Sequence, residues 1–67
     1  MTIRHIMIEH PKHGTHIQRY TSEEMRDEYT PEQNHELAMG RMIFKNGAIH
    51  ADMEAITRNA ISDHLSA

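Results

Sequence analysis

The chain contains no cysteine, and this absence constrains its fold most, because the chain has only 67 residues. Domains of this size bury about 60% of their unfolded surface and are marginally stable alone. They commonly compensate with disulfides, a structural metal or a partner subunit. Disulfides and thiolate metal ligands are excluded here, and only 37% of the residues are apolar. The sequence therefore predicts one small domain, residues 1–67, that gains stability as a homo-oligomer, most simply a dimer.

The first twenty residues have the composition of a β-hairpin. Residues 2–9 and 15–20 are rich in β-branched and apolar side chains, which favour strands. Between them, Pro11 presets the backbone for a type I turn, and Gly14 can adopt a positive φ. A loop over 11–14 pairs His10 with Thr15 and Ile8 with Ile17. This register predicts an aliphatic face made of Ile6, Ile8 and Ile17.

Two capping boxes indicate helices after the hairpin. Thr21-Ser-Glu-Glu24 and Thr30-Pro-Glu-Gln33 each place side chains where they can satisfy the first backbone amides of a helix. The first helix must end before Pro31, which suits the first position of the second helix. The second helix is expected to bury Leu37 and to continue through Met42 and Ile43.

The pair Asn46-Gly47 is compatible with two structures. It can end the second helix as a C-cap. It can also turn a hairpin between residues 42–45 and 48–50, since Asn-Gly is a strong hairpin signal. The well-formed cap at Thr30 and the length of the segment favour the helix.

The last segment, residues 52–65, has the periodicity of a helix. Its apolar side chains recur near one face: Met53, Ile56, Ala60 and Leu65, with Ile61 beside them. Asp52 and Glu54 stand where the helix dipole favours negative charge. We expect Ile56 and Leu37 to be core positions. The predicted fold is therefore α+β: an N-terminal β-hairpin followed by a short helix and two longer helices, completed by dimerisation.

Seven histidines include three at a spacing of three residues, His10, His13 and His16. Imidazole nitrogens bind zinc, nickel or copper when several converge on one point. In the predicted register His10 and His16 project from opposite faces and His13 lies in the turn. We therefore expect no metal site and no cofactor.

Catalysis has no signature in this sequence. The register places Glu9 opposite His16 and His5 opposite Tyr20, but a carboxylate and a histidine at the surface form a solvated ion pair of little energetic weight. An acid–base pair also needs a cleft that shifts its pKa values. A chain with three aromatic residues can hardly enclose such a cleft. We expect no catalytic residues and no enzyme activity.

The negative charge is concentrated in one segment. The chain has ten acidic residues and a net charge of −3, and residues 23–36 contain six of the ten with only Arg26 to offset them. These six are Glu23, Glu24, Asp27, Glu28, Glu32 and Glu36. Such runs are commonly solvated helix faces. The alternative is a docking surface for a basic partner, because charge complementarity speeds association and selects partners.

The sequence as a whole predicts a cytoplasmic, non-enzymatic interaction protein. It would inhibit or modulate a larger basic macromolecule by stoichiometric binding, as small proteins of phages and mobile elements do. No apolar run approaches the ~20 residues that cross a membrane. Nucleic-acid binding is disfavoured because the seven basic residues are scattered. It is disfavoured further because the helix after Asn46-Gly47, in a helix-turn-helix arrangement, would begin with Asp52 and Glu54. The alternatives are a dimeric nucleic-acid-binding regulator and a histidine-rich metal-binding protein.

Overall fold

The computed structural model describes residues 2–66, and these form a four-stranded antiparallel sheet and three helices. The elements are β1 (Ile3–His10), β2 (Gly14–Thr21), α1 (Ser22–Glu28), α2 (Pro31–Ala38), β3 (Ile43–Lys45), β4 (Ala48–Asp52) and α3 (Met53–Ser66). The strand order is β2-β1-β4-β3. The α+β class is confirmed. The second predicted helix, in contrast, is shorter than expected: β3 lies within the segment predicted to be helical, and β4 follows it.

The predicted N-terminal hairpin forms, but its register is shifted by one residue. Gly14 belongs to β2 and pairs with His10, so that Met7 lies opposite Ile17. Gly14 has a φ of 82°, which suits the left-handed residue that closes a three-residue hairpin loop. A shift of one residue moves each side chain of a strand to the other face. The predicted aliphatic face is therefore wrong, because Ile17 lies on the side of the sheet opposite Ile6 and Ile8.

Both capping boxes form as predicted. The Thr21 hydroxyl accepts from the Glu24 amide at 3.1 Å, and the Glu24 carboxylate accepts from the Thr21 amide at 2.9 Å. The same pair of bonds joins Thr30 and Gln33 at 3.1 and 3.0 Å. These caps fix the residues at which α1 and α2 begin.

The second helix ends at Ala38, well before the predicted end at Asn46-Gly47. Gly40 has a φ of 83° and its amide bonds the Leu37 carbonyl, while the Arg41 amide bonds the Glu36 carbonyl, both at 3.0 Å. These two bonds form a Schellman motif, which terminates a helix by satisfying its last carbonyls. Gly40 is the sequence signal for this end.

The Asn46-Gly47 pair turns a hairpin, which was the less favoured of the two predictions. Both residues have positive φ, 52° and 77°, as a type I′ turn requires. The turn joins β3 to β4, with Phe44 opposite Ile49 and Ile43 opposite His50. Because β4 also pairs with β1, this hairpin completes the sheet.

The third helix forms where predicted, but the side chains that it buries differ from those predicted. Asp52 caps it, since one carboxylate oxygen accepts from the Ala55 amide at 3.1 Å. Ala55 is 2% exposed, whereas Ile56 is 37% exposed. Arg58 and Asn59 donate to the carbonyls of Ala38 and Met39 at the end of α2. These bonds set the side of α3 that faces α2. Because Ile56 is not buried, the prediction of Ile56 as a core residue is wrong.

The core lies between the sheet and the first two helices. Ile6, Met25, Tyr29 and Leu37 are buried together, and Ile8, Tyr20 and Ile43 pack against them. Leu37 is therefore confirmed as a core residue. None of the helices in residues 2–66 is long and apolar enough to span a membrane.

The other side of the sheet, which we call the open face, is not covered by α1 or α2. The pairing places five apolar residues on it: Met7, Ile17, Phe44, Ile49 and Ala51. Phe44 is 73% exposed, Ile17 55% and Ile49 37%. Ala51 is 0% exposed and Met7 is half-buried, so Phe44, Ile17 and Ile49 supply the exposed apolar surface of the open face.

Candidate functional site

The six acidic residues singled out in the sequence lie on the two helices of the helix layer, and we call them the acidic surface. Glu23, Glu24, Asp27 and Glu28 belong to α1, and Glu32 and Glu36 to α2. All are exposed except Glu36, which is half-buried. The neighbouring residues Met25, Tyr29 and Leu37 point into the core. The two helices therefore bury their apolar side chains and present carboxylates outward.

Two of the six carboxylates have partners within the fold. Glu24 accepts the Thr21 amide in the capping box at 2.9 Å. Glu36 accepts from the Arg41 guanidinium at 3.0 Å, and both side chains are substantially exposed. Across residues 2–66, Glu23, Asp27, Glu28 and Glu32 make no side-chain hydrogen bond or ion pair.

The spacing of these carboxylates works against the helices that carry them. Glu23 and Asp27 are four residues apart, as are Glu24 and Glu28 in α1 and Glu32 and Glu36 in α2. Like charges at this spacing face each other on a helix and destabilise it by about 0.2–0.5 kcal/mol per pair. The fold tolerates this repulsion without compensating it, except where Arg41 contacts Glu36.

The acidic surface borders an open groove of about 620 Å³ between α2 and β3. Glu32 and Glu36 line it, with Pro31 and Ile43 supplying apolar surface. A second groove of about 580 Å³ lies between α1 and α2 and includes Arg26, the one arginine within the acidic segment. A basic side chain with an apolar stem fits the first groove, because such side chains bury the stem and keep the charge at the surface.

The histidines do not lie where the sequence analysis placed them. His16 pairs with Ile8 and His10 lies two residues along β1, so His10 and His16 share the helix-covered side of the sheet. The prediction that they project from opposite faces is wrong for the same reason as the aliphatic face. Within residues 2–66, no group of three or more His, Cys, Asp or Glu side chains is placed to hold a metal ion.

The histidine of the first turn has a structural role. His10 Nδ1 accepts hydrogen bonds from the amides of Lys12 and His13 at 3.0 and 3.2 Å. The His10 and His13 rings lie 4.3 Å apart. These contacts hold the turn between β1 and β2, and they use the ring nitrogen that faces the loop.

The two predicted cross-strand pairs are also wrong. Glu9 lies opposite Thr15 and His5 opposite Arg19. His5 instead binds Glu54 of α3: its amide donates to the carboxylate at 2.7 Å, and its ring contacts the same group at 2.8 Å. Burial acts to raise the pKa of Glu54, but these bonds outweigh it and hold the pKa below its usual range.

A buried pair of titratable side chains, Tyr29 and His50, was not found by sequence reasoning. His50 Nε2 lies 3.2 Å from the Lys45 carbonyl, which can only accept, so this nitrogen carries the proton. The Tyr29 hydroxyl then donates to His50 Nδ1 at 2.8 Å. Lys45 Nζ also lies 4.5 Å from the Tyr29 ring centroid.

Burial governs the titration of both groups. It raises the pKa of Tyr29 above its usual range. It lowers the pKa of His50, and the hydrogen bond to the Lys45 carbonyl opposes this only in part. Both nitrogens of the imidazole are occupied and the residue is 6% exposed, so it has no free site for a substrate proton. The hydrogen bond between the two side chains favours their neutral forms and links β4 to the residue that ends α1.

The arrangement that suggested a helix-turn-helix does not form. Residues 43–45 and 48–52 are strands joined by Asn46-Gly47, so no helix precedes that turn directly. Comparison with protein-family models, with curated proteins and with solved structures finds no match for this chain.

Proposed function

We propose that this chain is a small non-enzymatic interaction protein, a homodimer, that binds a basic surface of a larger protein and thereby inhibits or modulates it. The acidic surface carries the contact. The observation that supports this most is the set of four carboxylates, Glu23, Asp27, Glu28 and Glu32, that have no partner in residues 2–66.

The energetics favour this proposal over a merely solvated helix face. The like-charge pairs on α1 and α2 repel, and a basic partner would relieve that repulsion on binding. A concentrated negative field also raises association rates with a positive partner by tenfold or more. Exposed carboxylates contribute little to folding, so binding and stability separate experimentally.

The test compares two variants with the native protein. In the neutral variant, Glu23, Glu28 and Glu32 become Gln and Asp27 becomes Asn. In the matched control, Glu and Asp are exchanged at the same four positions, which keeps the charge and changes only the side-chain length. Tagged forms of all three are used to capture partners from an extract of the native host, and association is then measured at two salt concentrations.

We expect the native protein and the control to bind the same partner with association rates that fall steeply with salt. The neutral variant should associate about tenfold more slowly and with a shallower salt dependence, because steering is electrostatic. All three should fold, and the neutral variant should be at least as stable as the native protein, because it lacks the repulsion between like charges on α1 and α2. Equal association rates and equal salt slopes would show that the acidic surface does not bind the partner.

A further inference from the structure

The open face has a charge pattern along the strands as well as exposed apolar side chains. Met7, Ile17 and Ala51 lie in one row across β1, β2 and β4. On the hairpin-turn side of this row stands Glu9, opposite Thr15. On the other side stands Arg19, opposite His5, whose ring contacts the Glu54 carboxylate. The row, of which Ile17 is the exposed member, thus separates an acidic end of the face, which carries Glu9, from an end that carries Arg19.

These charged groups are too far apart to pair within one chain. Glu9 and His5 are four residues apart on β1, which corresponds to about 13 Å along a strand. Among the ion pairs of residues 2–66, none involves Glu9 or Arg19. Both side chains are exposed. The open face therefore offers an unpaired acid and an unpaired base at a fixed separation, with apolar surface between them.

A second copy of the chain complements this pattern in one orientation. Two sheets can pack face to face about a two-fold axis that runs along the strands. This arrangement would bring the acidic ends of the two copies together, and their Glu9 carboxylates would repel. A two-fold axis in the plane of the sheet and perpendicular to the strands reverses one copy. It places Glu9 of each copy near Arg19 of the other, and Ile17 near the same residue of its partner.

We propose that a second copy covers the open face in this antiparallel orientation, with Glu9 of each chain paired to the partner's Arg19. Face-to-face sheets pack about 10 Å apart, a distance that long side chains such as Glu and Arg span together. The arrangement covers Ile17 and leaves the acidic surface outside. It deepens the homodimer of the proposed function by assigning its interface, and it does not depend on the basic partner.

The area of the open face sets the expected affinity of the dimer. Four strands spaced about 4.8 Å apart make a sheet roughly 19 Å wide, and eight-residue strands are about 26 Å long. Because β3 and β4 are shorter, the buried area lies at the low end of specific interfaces. We expect a micromolar dissociation constant, measured by sedimentation velocity over a range of concentrations.

The apolar part of the interface is tested by Ile17→Lys, with Met39→Lys as the matched control. The two native side chains are similarly exposed, 55% and 49%, and Met39 lies at the end of α2 on the helix layer. A lysine is tolerated on an edge strand and at a helix C-terminus, so both variants should fold. We expect Ile17→Lys to weaken the dimer by at least about tenfold and Met39→Lys to leave it unchanged.

The orientation is tested by charge reversal. Glu9→Arg alone sets a cation against the partner's Arg19, and Arg19→Glu alone sets an anion against the partner's Glu9. Each single variant should therefore be largely monomeric, since like charges across an interface are strongly unfavourable. A mixture of the two single variants should form heterodimers at about the native affinity, because each contact then joins opposite charges.

Three outcomes would overturn the proposal. A native protein that stays monomeric up to about 100 μM would overturn the homodimer as well as its interface. A native dimer that Ile17→Lys does not weaken would place the interface elsewhere and leave the homodimer intact. Single charge variants that remain monomeric when mixed would exclude the antiparallel orientation. The binding of a basic partner by the acidic surface is tested separately and is unaffected by any of these results.

Discussion

Truncating three apolar residues of different burial tests the core assignment directly. Leu37 of α2 is 0% exposed, Ile56 of α3 is 37% exposed and Leu65 of α3 is 78% exposed. Leu37→Ala and Leu65→Ala remove the same atoms from a helix, so the difference between them measures burial alone. Ile56→Ala lies between the two.

The expected magnitudes follow from the exposed fractions. A fully buried Leu→Ala change costs about 2–5 kcal/mol, through lost transfer free energy and the cavity left behind. Small domains have a free energy of unfolding of roughly 0.05–0.15 kcal/mol per residue, which is about 3–10 kcal/mol for a chain of this length. Leu37→Ala should therefore remove a large fraction of the stability. Ile56→Ala should cost about 1 kcal/mol, and Leu65→Ala within about 0.5 kcal/mol.

Urea unfolding followed by circular dichroism measures these differences, at one protein concentration because dimerisation adds to apparent stability. If the free energy of unfolding falls with urea concentration at the same slope in all three variants, they unfold the same structure. If Leu37→Ala unfolds at the same urea concentration as Leu65→Ala, α2 does not pack on the sheet through Leu37. If Ile56→Ala is as destabilising as Leu37→Ala, the orientation of α3 is wrong.

Two further predictions concern the buried Tyr29–His50 pair. Tyr29→Phe leaves His50 Nδ1 without its hydrogen-bond donor. We expect a loss of about 1–3 kcal/mol in the free energy of unfolding, measured by urea titration at neutral pH. An unchanged urea midpoint would refute the hydrogen bond. Because burial lowers the pKa of His50 in the folded state, the unfolded chain binds a proton more readily below about pH 6.5. Stability should be constant just above that pH and fall as the pH drops from 6.5 toward 5. A His50→Gln variant should show a smaller slope over this window, and identical slopes would contradict the assignment.

Local signals in the sequence determined much of the fold. The capping boxes at Thr21 and Thr30 depend only on neighbouring residues, and both helix starts were predicted correctly. The hairpin register was wrong by one residue, because it depends on whether Gly14 belongs to the loop or to the strand. The end of α2 was wrong because the Gly40 signal was overlooked, which also led the Asn46-Gly47 turn to be assigned to a helix end.

The remaining errors concern contacts between distant parts of the chain. The orientation of α3 is set by bonds from Arg58 and Asn59 to the end of α2, twenty residues away in sequence. The spacing of apolar residues within α3 does not reveal these bonds. The Tyr29–His50 contact similarly joins the residue that follows α1 to β4. The acidic residues were located on exposed helix surfaces as expected, but only the structure shows that Glu24 and Glu36 have partners within the fold.

The central pairing of β1 with β4 has a consequence for folding. Each outer pair, β1 with β2 and β3 with β4, is a hairpin closed by a short turn, whereas β1 and β4 join opposite ends of the chain. Arg4 and Asp52, which form an ion pair beside this junction, are 48 residues apart. Non-local pairing is slow, because closing a long loop loses chain entropy before contacts repay it. Until the two hairpins meet, each presents an unpaired inner edge, and such edges pair readily with other chains. The newly made chain is therefore most prone to aggregate in the interval before β1 reaches β4.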